Sequence, residues 1–380
     1  MSAAVASINP DTRIAVPAWV WGPAGRDIQL ARAISDLTTG GYLGSTRELL
    51  ASVRRNPERR AYCTSALAAL LVRRRLGLAE QWVQDEPTNP DALLLIARVL
   101  VVRTIHAVRA GESGAAELGA RAVRACQEAG LARVSDPTPW VALLHLGETR
   151  LDLPELRCGI RSPGEDLTIY APWHLLDGVL QRTAHHREAF HRLIPLCFTA
   201  SSEEHWTPGS AEKERTASAE AARARAQVAV WAADQAPAGS PLKLLRLMYA
   251  AERDPYPDRA EEMRLSNHLH WNGESERESY LSERVPAIEQ RWRRALRGTA
   301  IKLADAWFIK GEGPPYVPLA DLSFLADYLH RAGEFVAARP VLEWMIPYAT
   351  AEPWQRRGDP GEVLAKVCLE CDVNPALLPR

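Results

Sequence analysis

Apolar residues recur along this chain at separations of three, four and seven, and period-two alternation bounded by turn residues is nearly missing. That spacing gathers an apolar face on one side of an α-helix. "DIQLARAISDLTTGG" and "GSTRELLASVRR" predict a helix pair across a glycine turn, and "RAYCTSALAALLVRRRLG" predicts the next helix. "NPDALLLIARVLVVRTIHAVRAG", "ESGAAELGARAVRACQEAG", "DPTPWVALLHLGETRL" and "APWHLLDGVLQRTAHHREAFHRLIPLCF" continue the pattern. After a polar break come "SAEAARARAQVAVWAADQAP", "SPLKLLRLMYAAERD" and "SYLSERVPAIEQRWRRALRGTAIKLADAWFIKG". The predicted class is all-α.

The stretch Leu325 to Met345, "LADYLHRAGEFVAARPVLEWM", shows the pattern most clearly. Leu322, Leu325, Ala326 and Leu329 line one helix, Gly333 permits a reversal, and Phe335, Ala338 and Leu342 line the returning helix. These offsets resemble a tetratricopeptide repeat. Pro340 departs from it, because a proline inside the second helix should kink or shorten that helix. Leu37, Gly41, Leu43 and Leu50 repeat the spacing of Leu329, Gly333, Phe335 and Leu342. Leu93, Ile96, Ala97 and Leu100 follow an Asn89-Pro90 helix start, and Asp136-Pro137 repeats that start 47 residues later, so the period drifts. The prediction is an α-solenoid of degenerate tetratricopeptide-like helical hairpins. From about Trp82 to Asp254 the order of these motifs also resembles a bacterial family of helical-repeat proteins of uncharacterised function. That resemblance implies a fold and no activity.

Breaks in the pattern suggest an organisation. Residues 1–26 form an N-terminal extension, 27–198 an N-terminal helical half, 199–217 a polar loop or hinge, and 218–380 a C-terminal half ending in the tetratricopeptide-like hairpin. "DPYPDRAEEMRLSNHLHWNGESERE" predicts a loop-rich insertion, and "KGEGPPYVP" a break before the last hairpin. No run of about 18 uncharged apolar residues occurs, so no membrane span is predicted. The first residues lack a charged stretch followed by an unbroken apolar one, so no secretory signal is read there. Six scattered cysteines within apolar helical patterns predict buried thiols in a reducing cytoplasm.

Charge narrows the partners. Forty-six Lys and Arg against 47 Asp and Glu give no concentrated positive field for a nucleic acid or an anionic membrane. The clusters "RRNPERR", "VRRR" and "RWRR" have acids nearby and read as solvated faces or ion-pair partners. The preference for Arg over Lys, with abundant Ala, resembles a chain from a GC-rich bacterial genome.

Motifs of catalysis are scarce: there is no G-x-S-x-G, no P-loop, no H-E-x-x-H and no G-x-G-x-x-G after a strand. "HHREAFH" holds His185, His186 and His191 at separations of one, five and six, and six residues turn a helix by about 240°, which spreads the rings. His268 and His270 in "NHLHWNG" would converge on a strand but not on a helix. "CLEC" (Cys368 to Cys371) is a lone pair without a second pair to complete a zinc site. No cofactor and no metal are therefore predicted. Of 12 tryptophans, Trp140, Trp231, Trp307 and Trp344 lie on helical patterns and read as core. Trp206, Trp271 and Trp354 lie in polar, turn-like surroundings and suit a partner contact.

The tetratricopeptide resemblance implies a concave surface that holds a peptide or protein partner. Its groove-facing places fall on Asp327, His330 and Arg331, with Arg98 at the corresponding place in the central hairpin. Arg, His and Asp together suit charge-assisted bonds to an extended peptide or a carboxylate terminus. The function read is a protein-interaction scaffold. The alternative is an enzyme or small-molecule binder with a His- and acid-lined pocket between the halves, near His186, His205 and His268.

Overall fold

The structure, a computed structural model, describes residues 19–163, 168–199, 211–253, 297–308 and 316–374. Strand β1 (Val20–Trp21) leads into α1 (Ile28–Thr39), α2 (Gly44–Ser52), α3 (Pro57–Arg73), α4 (Leu78–Asp85), α5 (Pro90–Arg109), α6 (Ala115–Ala132) and α7 (Thr138–Gly147). An antiparallel ribbon of β2 (Gly159–Arg161) and β3 (Ile169–Ala171) precedes α8 (Trp173–Leu180) and α9 (Arg187–Leu193). Next come α10 (Ala211–Gln235), α11 (Leu242–Arg253) and the helical residues 297–308. Helices α12 (Leu319–Arg331) and α13 (Phe335–Met345), strand β4 (Tyr348–Ala349) and α14 (Pro360–Glu370) complete the order. The protein is mainly helical.

Local chemistry sets the helix starts. Asn56, Asn89 and Asp359 accept first-turn N–H groups at 2.9–3.0 Å, and each precedes a proline whose missing N–H would have had no helical partner. Gly41 and Gly333 have φ of 66° and 76°, the left-handed turn that a side chain would strain. Leu322, Leu325, Ala326, Leu329, Ala338 and Leu342 are all buried, as their spacing predicts, whereas Phe335 is 43% exposed. Helix α13 runs through Pro340 to Met345 rather than stopping there. The backbone bond that Pro340 forfeits would have gone to Val336, whose 89% exposure puts that turn at the surface, where water can serve the carbonyl.

Three apolar clusters follow one another along the chain. The first joins α1 to α5, the second runs from α5 to α11, and the third joins α11, residues 300–307 and α12 to α14. Helix α5 serves two clusters, with Leu95 and Val99 facing one and Leu94 and Val101 the other. Helix α11 does the same with Leu245 and Leu247. The second cluster includes both Leu193 of α9 and Val228 of α10, so these two helices share one core.

The two ends of the described chain meet. Val20 N–H donates to Pro347 O at 3.0 Å and Gly22 N–H to Ala349 O at 3.4 Å, making β1 and β4 a parallel pair. Trp19 sits in the third cluster and its indole N–H donates to Gly361 O at 3.3 Å. Strands of two residues are too short to show alternation, so the sequence pattern holds no sign of them.

Helix α3 is fixed by a buried guanidinium. Arg60 Nε donates to Asp136 Oδ2 at 2.6 Å, its Nη1 to Leu50 O at 3.0 Å, and its Nη2 lies 2.7 Å from Asp91 Oδ1 as a close ion pair. Arg54 reaches the same Asp91 from the surface at 2.6 Å, and Arg59 pairs with Asp27 at 2.8 Å. Three of the four arginines of "RRNPERR" are thus paired with carboxylates of the fold. Arg60→Leu leaves two buried carboxylates short of their shared cation and should destabilise the fold by about 3–5 kcal/mol in urea unfolding. An unchanged midpoint would contradict that arrangement.

Candidate functional site

Where the N-terminal segment crosses the last hairpin, the packing leaves a cavity of about 490 Å³. That volume lies within the range of small-ligand sites. Its floor is apolar, with Leu319 and Leu322 from α12 and Met345 from α13. Tyr62 of α3 and Tyr316 bring their rings to 5.9 Å at a 60° tilt. The Tyr62 hydroxyl donates to Pro23 O at 2.6 Å, which ties the N-terminal segment across the opening. Residues Pro23 to Gln29 form the remaining wall, and Ile28 stands 81% exposed at the rim.

Charged groups enter at one side. Arg59 donates from Nε and Nη2 to the two oxygens of Asp27, each at 2.8 Å. Asp27 also caps α1, its Oδ1 accepting from Leu30 N at 3.0 Å. Arg26 lies over the Trp344 ring, 5.0 Å from its centre, and donates to the carbonyls of Trp344, Glu343 and Ile346. A void of about 10 Å³ shares Tyr62, Tyr316 and Pro318 with the cavity, and its far wall is Glu58, Arg187 and Glu188.

Behind that void lies a buried charge cluster. Arg187 donates to Asp321 of α12 and, at 3.0 Å, to Glu188. Arg192 donates to Glu188 and to Glu148, each at 2.8 Å. Burial alone would raise the Glu188 carboxyl, but Arg192, His191 and Arg187 outweigh it and hold it far below the usual carboxylate range. Burial raises Asp321 to about 6 against the pull of Arg187. The same burial, with Arg187 beside it, lowers His191 to about 3, and His145 is pushed well down by burial and Arg192.

The residues singled out by spacing fall elsewhere. Arg98 does not face a groove: it is 1% exposed on α5, and its three guanidinium nitrogens make no hydrogen bond among the described residues. Burial lowers it to about 10. Asp327 is likewise internal, 2% exposed, and accepts from Arg331 and Arg357 at 3.1 Å each. His330 contacts Glu370 of α14, so it and Arg331 are engaged within the last hairpin and its neighbour. Trp354, read as a surface anchor, is fully buried, while Trp206 and Trp271 lie outside the described residues.

His186 lies outside the cavity; it is fully buried and caps α9, its Nδ1 accepting from Ala189 N at 3.3 Å. His205, His268 and His270 lie outside the described residues. Among the described residues no histidine lines the cavity. Among the described residues no group of three or more His, Cys, Asp or Glu could hold a metal ion.

Tyr62, Tyr316, Arg26 and Trp344 carry no motif, and only the proline-rich break before Tyr316 marks that stretch as unusual. In comparison with known proteins, the chain matches no family model, no curated protein and no solved structure.

The buried imidazoles make stability depend on pH. Unfolded histidine protonates near its ordinary value of 6.5, whereas folded His191 stays neutral down to about 3, so its stability contribution is lost as pH falls below 6.5. Asp321 acts in the opposite sense between pH 6 and 4, so wild type is compared with a variant at each pH. Between pH 7.5 and 5, wild type should lose about 1–2 kcal/mol more than His191→Gln. Equal losses in denaturant titrations would show that His191 titrates freely.

Proposed function

We propose that the protein is a binding scaffold whose helical hairpins frame a cavity for an apolar part of a partner, either a peptide or a small ligand. The carrying observation is the seam cavity itself, with its Leu319, Leu322 and Met345 floor, its paired tyrosines and its few charged groups at one side. Binding sites for small ligands have this composition: an apolar body and a small number of placed polar groups. The cavity, rather than the α12 face bearing Asp327, His330 and Arg331, is the surface offered, because those side chains already answer partners within the fold.

The resemblance of two hairpins to tetratricopeptide units supports the scaffold reading. The α1–α2 and α12–α13 hairpins both reverse at a left-handed glycine, and both bury leucines at the matching offsets, Leu37 and Leu50 against Leu329 and Leu342. Five of the six cysteines are buried thiols, which supports a reducing compartment such as a bacterial cytoplasm. Among the described residues no helix is long and apolar enough to cross a membrane.

Nile red, a neutral apolar dye, tests the cavity directly. Its fluorescence should rise on titration with the wild-type protein and the binding should saturate. Leu322→Trp places an indole in the floor and should weaken binding at least tenfold, while Leu322→Met, which conserves volume, should retain it. Absence of saturable uptake by the wild type would sink this reading.

A further inference from the structure

We infer that the cavity selects an anion: an apolar, preferably aromatic, body carrying one carboxylate, with the carboxylate held at Arg26. The inference rests on the binding reading above and adds the chemical class of the ligand.

The charged residues of the lining are Arg26, Asp27 and Arg59, so two guanidinium groups against one carboxylate leave a net charge of +1. The geometry shows where that charge resides. Asp27 is saturated, with both oxygens engaged by Arg59 and one also capping α1. Arg59 is correspondingly neutralised and held in place. Arg26 has neutral company only: three backbone carbonyls and the face of Trp344. No acid lies within ion-pair distance of Arg26, and its Nη1 has no partner among the described residues.

A guanidinium fixed by carbonyls and an indole face, with Nη1 left over, presents a preorganised charged donor for a carboxylate oxygen. Its attachments are all on one flank, through Nε and Nη2, which leaves Nη1 as the open end. The apolar floor and the tilted Tyr62–Tyr316 pair suit a flat ring beside that donor. Arg26 is exposed to water, and a neutral or cationic ligand of the same shape would gain nothing from its charge. The required chemistry is shared by a free aryl carboxylic acid and by the last residue of a peptide ending in an aromatic side chain.

Isothermal titration calorimetry of the full chain separates these sources. The probes are indole-3-propionate with its amide, and N-acetyl-Ala-Trp with a free or an amidated C-terminus. In at least one pair the acid should bind ten-fold or more tightly than the amide. Arg26→Gln should erase that preference while Arg26→Lys keeps part of it. Preference confined to the dipeptide pair assigns the anion to a chain terminus, and preference confined to the propionate pair assigns it to a free acid. Equal binding of acid and amide, or a preference that survives Arg26→Gln, overturns the anion class while leaving the cavity intact. If none of the four probes binds but Nile red does, the class is again overturned. If Nile red also fails, the binding reading falls with it.

Discussion

The arrangement of the N-terminal helices depends on one buried guanidinium. Arg60 projects from α3 between Asp91, at the start of α5, and Asp136, just before α7. Both carboxylates sit in helix-start positions, where unpaired backbone N–H groups and the helix dipole favour negative charge. Asp136 also accepts from Thr138 N at 2.9 Å, so the side chain that meets Arg60 opens α7 as well. A buried ion pair adds little net stability over a well-packed apolar replacement. Its effect here is to fix direction: three helices that could slide along an apolar seam are held in one register. Helix α5 can then be apolar on both sides, because its rotation is set by Asp91.

A second strut works at the other end of the molecule. Arg187 of α9 and Asp321 of α12 join the middle cluster to the last hairpin, and Glu58 of α3 accepts from the Arg187 backbone N–H. These groups stand directly behind the void that adjoins the cavity. Tyr62 lies one turn beyond Glu58 on the same helix, and Tyr316 and Pro318 lie just before Asp321. The positions of the cavity walls are therefore consequences of the buried charges behind them. Arg98 differs from these struts: its guanidinium is enclosed without a hydrogen-bond partner among the described residues.

Much of the architecture was legible in the sequence because it is local. Asn89-Pro90 and Asp136-Pro137 are helix starts whose side chains accept backbone N–H groups two residues on, and Gly333 turns the chain by its own backbone freedom. The offsets of Leu325, Leu329, Ala338 and Leu342 report a seam and were sufficient to place it. They could not tell which further layer covers a helix, so Asp327 and Arg98 read as groove residues although other elements bury them. The site was less legible still. Tyr62 and Tyr316 are 254 positions apart, and nothing in the spacing around either one announces the other. Trp344 read as core because its helical offset is apolar, yet it is half-buried and bears Arg26 on its face. Pro340 lies inside α13 without ending it, because the bond it removes belongs to an exposed first turn.

The pairing of Val20 with Tyr348 also has a consequence for how the molecule comes into being. Chains emerge from the ribosome N-terminus first, and helical hairpins can pack as they appear. The first cluster, from α1 to α5, is complete once about the first quarter of the described chain has been made. Trp19, Val20 and Arg26 then have no surface to rest on until α13, β4 and the start of α14 follow. During synthesis Pro23 and Asp27 can settle early on Tyr62 and Arg59 of α3, while Trp19, Val20 and Arg26 wait for partners made more than 300 residues later, so the two walls of the cavity are built far apart in time.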